Sequence, residues 1–177
     1  METRDDKVTE KSVKRKRRWP KTILLILFFI FLIIQFFQPD KNNNSITATN
    51  DIHAMVSVPD SVQQLLKMAC YDCHSNNTNY PWYTNIQPIG WWLNDHIEEG
   101  KQHLNFNEFV NIPPLNGKTT RERQLKKLEE VKETIEEGEM PLTSYTFIHK
   151  EAKLSPAQKQ LIIDWSENAL RTISSAK

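Results

Sequence analysis

An all-α domain behind a separate apolar N-terminal segment is the architecture this sequence predicts, and three observations carry it. Glycine is scarce, with four in 177 residues, and alternating β-branched runs are few, so the signals of a sheet are missing. Three segments after residue 58 carry apolar residues at helical spacing behind N-capping residues. Before them lies one apolar run, Ile23 to Ile34, flanked by a basic cluster. The length suits one domain with an appendage.

Residues 1–21 hold nine Lys/Arg against four Asp/Glu, and the remainder fourteen against eighteen, so a net +5 arm precedes a net −4 body. That balance excludes a basic nucleic-acid-binding domain, and no nucleic-acid partner is expected. Lys14-Arg15-Lys16-Arg17-Arg18 leads through Trp19-Pro20-Lys21 into the apolar run, which Gln35-Phe36-Phe37 continues. With Trp19, Thr22 and Gln35 at its edges, the run reaches toward the ~20 residues of a membrane span. The basic flank predicts that the N-terminal end stays in the cytoplasm. Phe36-Phe37-Gln38-Pro39-Asp40 offers no small-x-small cleavage site, which predicts an uncleaved signal anchor. The expectation is therefore a cytoplasmic segment over 1–21 and a single transmembrane helix over 22–38. A soluble domain would have to enclose that helix completely, because Phe, Ile and Leu occupy every side of it. Residues 39–58, which include Lys41-Asn42-Asn43-Asn44-Ser45, are polar and aperiodic and read as a tether. The folded domain is expected over 59–177.

Within that domain, Asp60 as N-cap with Gln63 three residues on opens a helix whose Val62, Leu65, Leu66 and Ala69 share one face. Thr119 with Glu122 forms a capping box for a charged helix, whose stripe of Leu125, Leu128, Val131 and Ile135 stops at Gly138. Ser155, Pro156 and Gln158 open the last helix, with Leu161, Ile162, Trp165, Ala169 and Ile173 on its apolar face.

The first of these helices delivers Cys70-Tyr71-Asp72-Cys73-His74, which uses both cysteines of the chain. Cys-x-x-Cys-His is the arrangement that attaches haem covalently: two thiols add to the vinyl groups and the imidazole is carried beneath the ring to iron. A redox dithiol expects a preceding strand in a βαβ unit, whereas Met68-Ala69 ends a helical pattern. A zinc site lacks further ligands at matching spacing, and a Cys70–Cys73 disulfide would close too small a loop to stabilise much.

A second axial ligand is sought in Gly138-Glu139-Met140-Pro141-Leu142. The Met140 thioether is a soft ligand that favours ferrous iron, and Pro141 holds Met140 extended at a helix end. A space-filling core methionine is the bland alternative, and His149, His96 and His103 are rival ligands. His96 and His103 read more simply as surface or hydrogen-bonded histidines. Tyr80, Trp82, Tyr83, Trp91, Trp92, Phe106 and Phe109 either wall a haem cavity or fill the core. A backbone carbonyl from Pro81 or Pro88 is expected to orient the His74 ring.

The order of capped helix, Cys-x-x-Cys-His, long connection, helix, Met-Pro and C-terminal helix resembles the class I cytochrome c fold. More narrowly, Cys70 to Asn76, Tyr80-Pro81-Trp82-Tyr83, Trp91-Trp92 and Met140 to Tyr145 resemble a bacterial haem-binding domain family related to cytochrome c, over roughly residues 60–170. The stretch between His74 and Thr119 is longer than in a minimal cytochrome c. The resemblance implies Cys70 and Cys73 as thioether anchors, His74 as proximal ligand and Met140 as distal ligand. The expected function is haem c binding and single-electron transfer in a single-pass protein of the bacterial cytoplasmic membrane, its C-terminal domain facing the periplasm and meeting a redox partner protein. A haem-based sensor or haem peroxidase with an open or labile distal site is the alternative. No substrate-converting machinery beyond haem iron is evident, and nothing in the sequence indicates an oligomeric state.

Overall fold

The computed structural model describes residues 19–176. The basic run Lys14–Arg18, and with it most of the segment expected to be cytoplasmic, lies outside the described residues. The chain divides into two compact units, one ending at Phe37 and one beginning at Gln38.

The first unit contains α1, Trp19–Ile34, none of whose side chains is buried. At its end the chain tightens into a turn, with the Phe36 and Phe37 amides bonded to the Ile33 and Ile34 carbonyls. Sixteen residues make about 24 Å of helix, against a hydrocarbon core of about 30 Å. Among the described residues no helix is long and apolar enough to cross a membrane. The transmembrane helix expected over 22–38 thus finds no support among the described residues, where α1 ends at Ile34, before Gln35.

The second unit holds α2 (Asp60–Ala69), α3 (Tyr71–His74), α4 (Ile89–His103), α5 (Thr120–Glu137), α6 (Thr143–Ile148) and α7 (Pro156–Ser175), with short 3-10 turns between them. Among the described residues the only β-pairing is two isolated bridges, Asn43 with Asn77 and Leu115 with Lys118. The all-α expectation is met.

Helices α5 and α7 pack against each other most extensively, and both begin with reciprocal capping boxes, Thr119 with Glu122 and Ser155 with Gln158. Gly138 ends α5 at φ 78°, a left-handed position that glycine takes without steric cost. Leu128 and Ile135 are buried on α5, while Leu125 and Val131 are partly so. On α7 the buried face comprises Ile162, Ile163, Trp165, Ser166, Ala169 and Ile173; Leu161, expected on it, is exposed. Helix α2 buries Val62, Leu65, Leu66 and Ala69 as its spacing predicts. Its N-cap is Pro59 without a side-chain bond, and Asp60, the expected cap, is its first helical residue.

Residues 39–58 are not a free tether. Ile52 and Val56 belong to the core, and the indole of Trp165 donates to the Ser57 carbonyl at 3.1 Å. Asn42, within the polar run, is buried and donates to the Ser75 carbonyl and Thr78 Oγ1, each at 2.9 Å. Asp51 accepts from the His53 amide at 2.9 Å and from Asn107 Nδ2 at 2.6 Å, and pairs with the His53 ring. Asparagine side chains here satisfy backbone groups that a loop folded against the core would leave unpaired.

Candidate functional site

Helix α2 ends where α3 begins, so Cys70 caps one and opens the other. The short helix α3 then carries Cys73 one turn on, with the Cys73 and His74 amides bonded back to the Cys70 carbonyl. Across from it lies α4. A Cβ on Gly100 would stand 2.8 Å from the Cys73 carbonyl oxygen and 3.1 Å from the Cys73 Cβ, so the missing side chain lets α4 close on α3.

Just beyond α4, the Leu104 carbonyl lies 3.0 Å from His74 Nδ1. A carbonyl can only accept, so Nδ1–H donates and Nε2 keeps its lone pair. Neither Pro81 nor Pro88, the carbonyls expected for this task, supplies the bond. Burial pushes the His74 pKa down, against opposing bonds to the Leu104 and Gly100 backbones. The neutral imidazole is thereby favoured, its Nε2 free for a metal.

Two adjoining cavities open beside this imidazole. The first, about 260 Å³, is lined by Cys70, Cys73, His74, Met140 and Tyr145 among others. The second, about 390 Å³, shares Cys70, His74 and Met140 with it and continues along Leu104, Phe106, Val131 and Ile135. Met140 reaches both because Gly138 turns the chain out of α5 and the Met140 amide bonds back to the Thr134 carbonyl at 3.2 Å. The four residues singled out in the sequence are thus brought together. Both cysteines are unbridged, and burial raises their pKa values to about 12 for Cys70 and about 11 for Cys73.

The remaining expectations divide. His96 and His103, read as surface or hydrogen-bonded residues, are so, His103 being exposed, and both also line the first cavity, with His103 lining the second. His96 donates from Nδ1 to the Trp92 carbonyl at 2.9 Å. His149 meets the Tyr83 hydroxyl at 2.8 Å and stacks on Tyr145. Phe106 and Phe109 are buried, and Phe106 also walls the second cavity. Trp82 and Trp92 are exposed. Sequence reasoning missed Gly100 and the Leu104 carbonyl; a glycine inside a helical stretch was the signal for the first, and nothing local marks the second.

An apolar cavity in a helical domain, with an imidazole of fixed tautomer, a thioether and two thiols on its wall, has the donors that haem iron and its periphery require. The residues fit that group, and the protein is of the haem-binding class. Residues 29–168 match the family described as Haem-binding domain, and the chain belongs to it. No curated protein and no solved structure matches the chain.

Proposed function

We propose that the domain holds haem c covalently through Cys70 and Cys73, with His74 and Met140 as axial ligands, and passes single electrons at the outer face of a bacterial cytoplasmic membrane. One observation carries this reading: Cys70, His74 and Met140, from two distant parts of the sequence, line both cavities, and Cys73 joins them in the first. When bound, haem supplies the one-electron couple.

The chain's own residues set the conditions. The Leu104 carbonyl orients His74 and raises the basicity of its free nitrogen. The Met140 sulfur favours the ferrous state and raises the potential relative to two imidazoles. Leu104, Phe106, Val131 and Ile135 give the second cavity apolar walls, and apolar surroundings disfavour the more highly charged oxidised form. His149 is engaged by Tyr83 and Tyr145, which argues against its serving as the distal acid–base group of a peroxidase.

Membrane attachment belongs to the same reading. Every apolar side chain from Ile23 to Leu32 on α1 is at least 41% exposed, far more apolar surface than water tolerates in one patch. The basic arm before it supports an N-terminus left in the cytoplasm; α1, at about 24 Å, would then cross a locally thinned bilayer and leave the Cys-x-x-Cys-His motif outside, where it would meet a redox partner protein.

The test is absorption spectroscopy of protein produced in a periplasm with haem-attachment machinery. Haem that survives denaturation, a low-spin ferrous spectrum and the weak long-wavelength ferric band of sulfur ligation are expected. Met140→Ala is expected to keep the haem, lose that band, lower the potential and admit carbon monoxide. An unchanged potential would remove Met140 as a ligand, and absent haem would remove the whole reading.

A further inference from the structure

Met140 leaves α5 with its amide bonded to the Thr134 carbonyl and its side chain partly buried against the core. Pro141 and Leu142 lead into α6, a six-residue helix with no buried side chain, too short to persist by its own hydrogen bonds. What fastens α6 to the Cys-x-x-Cys-His segment is Tyr145, whose hydroxyl donates to Asp72 Oδ2 at 2.7 Å. The acceptor is itself held from the far side. Asp72 Oδ1 accepts from the Asn79 amide at 3.0 Å, and the Asp72 carbonyl accepts from Thr78 Oγ1 at 2.6 Å. Tyr145 is braced as well: its ring stacks on His149 with centroids 4.4 Å apart, and His149 Nε2 meets the Tyr83 hydroxyl at 2.8 Å. Both ends of the bond are thus braced by residues outside it.

We propose that the Tyr145–Asp72 bond is a latch that holds the Met140 loop against the cavity, making Tyr145 a positioning residue for the Met140 sulfur. This rests on the reading of Met140 as an axial ligand. Two observations carry it. Asp72 sits between the two haem-motif cysteines, and Tyr145 lies five residues after Met140 on the same loop-and-helix segment, so the bond joins the two halves of the ligand set directly. Both residues also line the first cavity with Met140 and His74. A loop ordered in advance loses less freedom when its sulfur binds, and hydrogen bonds to carboxylates are among the stronger ones available for ordering it. With the latch removed, the sulfur is held by the chain alone and yields more readily to a small external ligand.

The experiment uses full-length haem-loaded protein. In the wild type, the sulfur-ligation band and resistance to carbon monoxide test the Met140 reading itself, and their absence would sink that reading. Given them, Tyr145→Phe is expected to keep its haem, lower the potential and raise carbon monoxide affinity of the ferrous protein about tenfold, the scale of one lost hydrogen bond. Asp72→Ala, which also loses the Asn79 bond, is expected to do at least as much, and the double variant to add nothing to Asp72→Ala alone. Hydrogen exchange separates a latch from general loss of fold. The amides of Thr146 and His149, bonded to the Leu142 and Tyr145 carbonyls, should lose protection while those of α5 and α7 keep theirs. Wild-type affinity and potential in Tyr145→Phe, additive losses in the double variant, or protection lost evenly across α5 and α7 would each overturn the latch.

Discussion

At Gly100 a single hydrogen atom decides how closely two helices approach. The Cβ of an alanine would meet the Cys73 backbone, which cannot rotate aside as a flexible side chain can. Gly100→Ala is therefore expected to destabilise the domain by about 1–3 kcal/mol, the range of core overpacking, and to lower haem content, as measured by thermal melting and by haem per polypeptide. A melting temperature and haem content equal to wild type would show that α3 and α4 have room to spare. That Cys70, Cys73, His74 and Met140 belong to one cavity could be anticipated because each signal is local: spacing places the thiols and imidazole, and a helix-ending Gly with a following Pro exposes the methionine. The carbonyl that orients His74 was not, since it comes from Leu104, thirty residues on, and every residue carries a carbonyl.

Among elements, the 3-10 turn Ile52–Ala54 shows how a segment with no periodicity becomes structural. Asp51 caps it and ties it to Asn107. Burial alone would raise the Asp51 pKa, but bonds from the His53 amide and ring and from Asn107 outweigh this and lower it from its ordinary value of 3.8. A lowered carboxyl binds fewer protons folded than unfolded. It therefore stabilises the fold above the unfolded value and loses that contribution as pH falls through the folded one. The gap in melting temperature between wild type and Asp51→Asn should accordingly be full near neutral pH and shrink as pH falls below about 4. A gap that stays constant down to pH 2 would separate Asp51's role from its charge. The capping boxes of α5 and α7 were readable in advance because each is closed within four residues. The cap of α2 was misread by one position, since Asp60 serves the first turn as well as it would serve the cap.

Across the whole molecule, the largest departure from expectation is where the domain begins. Ile52, Val56 and the Trp165 contact with Ser57 place residues 38–58 in the fold. A chain starting at Pro59 is expected to be unfolded, since the loss of either buried aliphatic side chain alone costs about 2–5 kcal/mol and stability totals only about 5–15 kcal/mol. A chain starting at Gln38 is expected to fold and bind haem, and circular dichroism with haem titration distinguishes the two. Equal folding of both would restore the tether. The sequence by itself determined the helical class, the capped ends of α5 and α7 and the candidates Cys70, Cys73, His74 and Met140 that meet at one cavity, because these are written in spacings of a few residues. Tertiary structure alone decided that the asparagine-rich segment is core scaffold, that Leu104 orients His74, that Gly100 sets the α3–α4 distance and that Tyr145 reaches Asp72. Each of those depends on which distant backbone a residue meets, and a partner supplied by folding leaves no periodic trace in the chain.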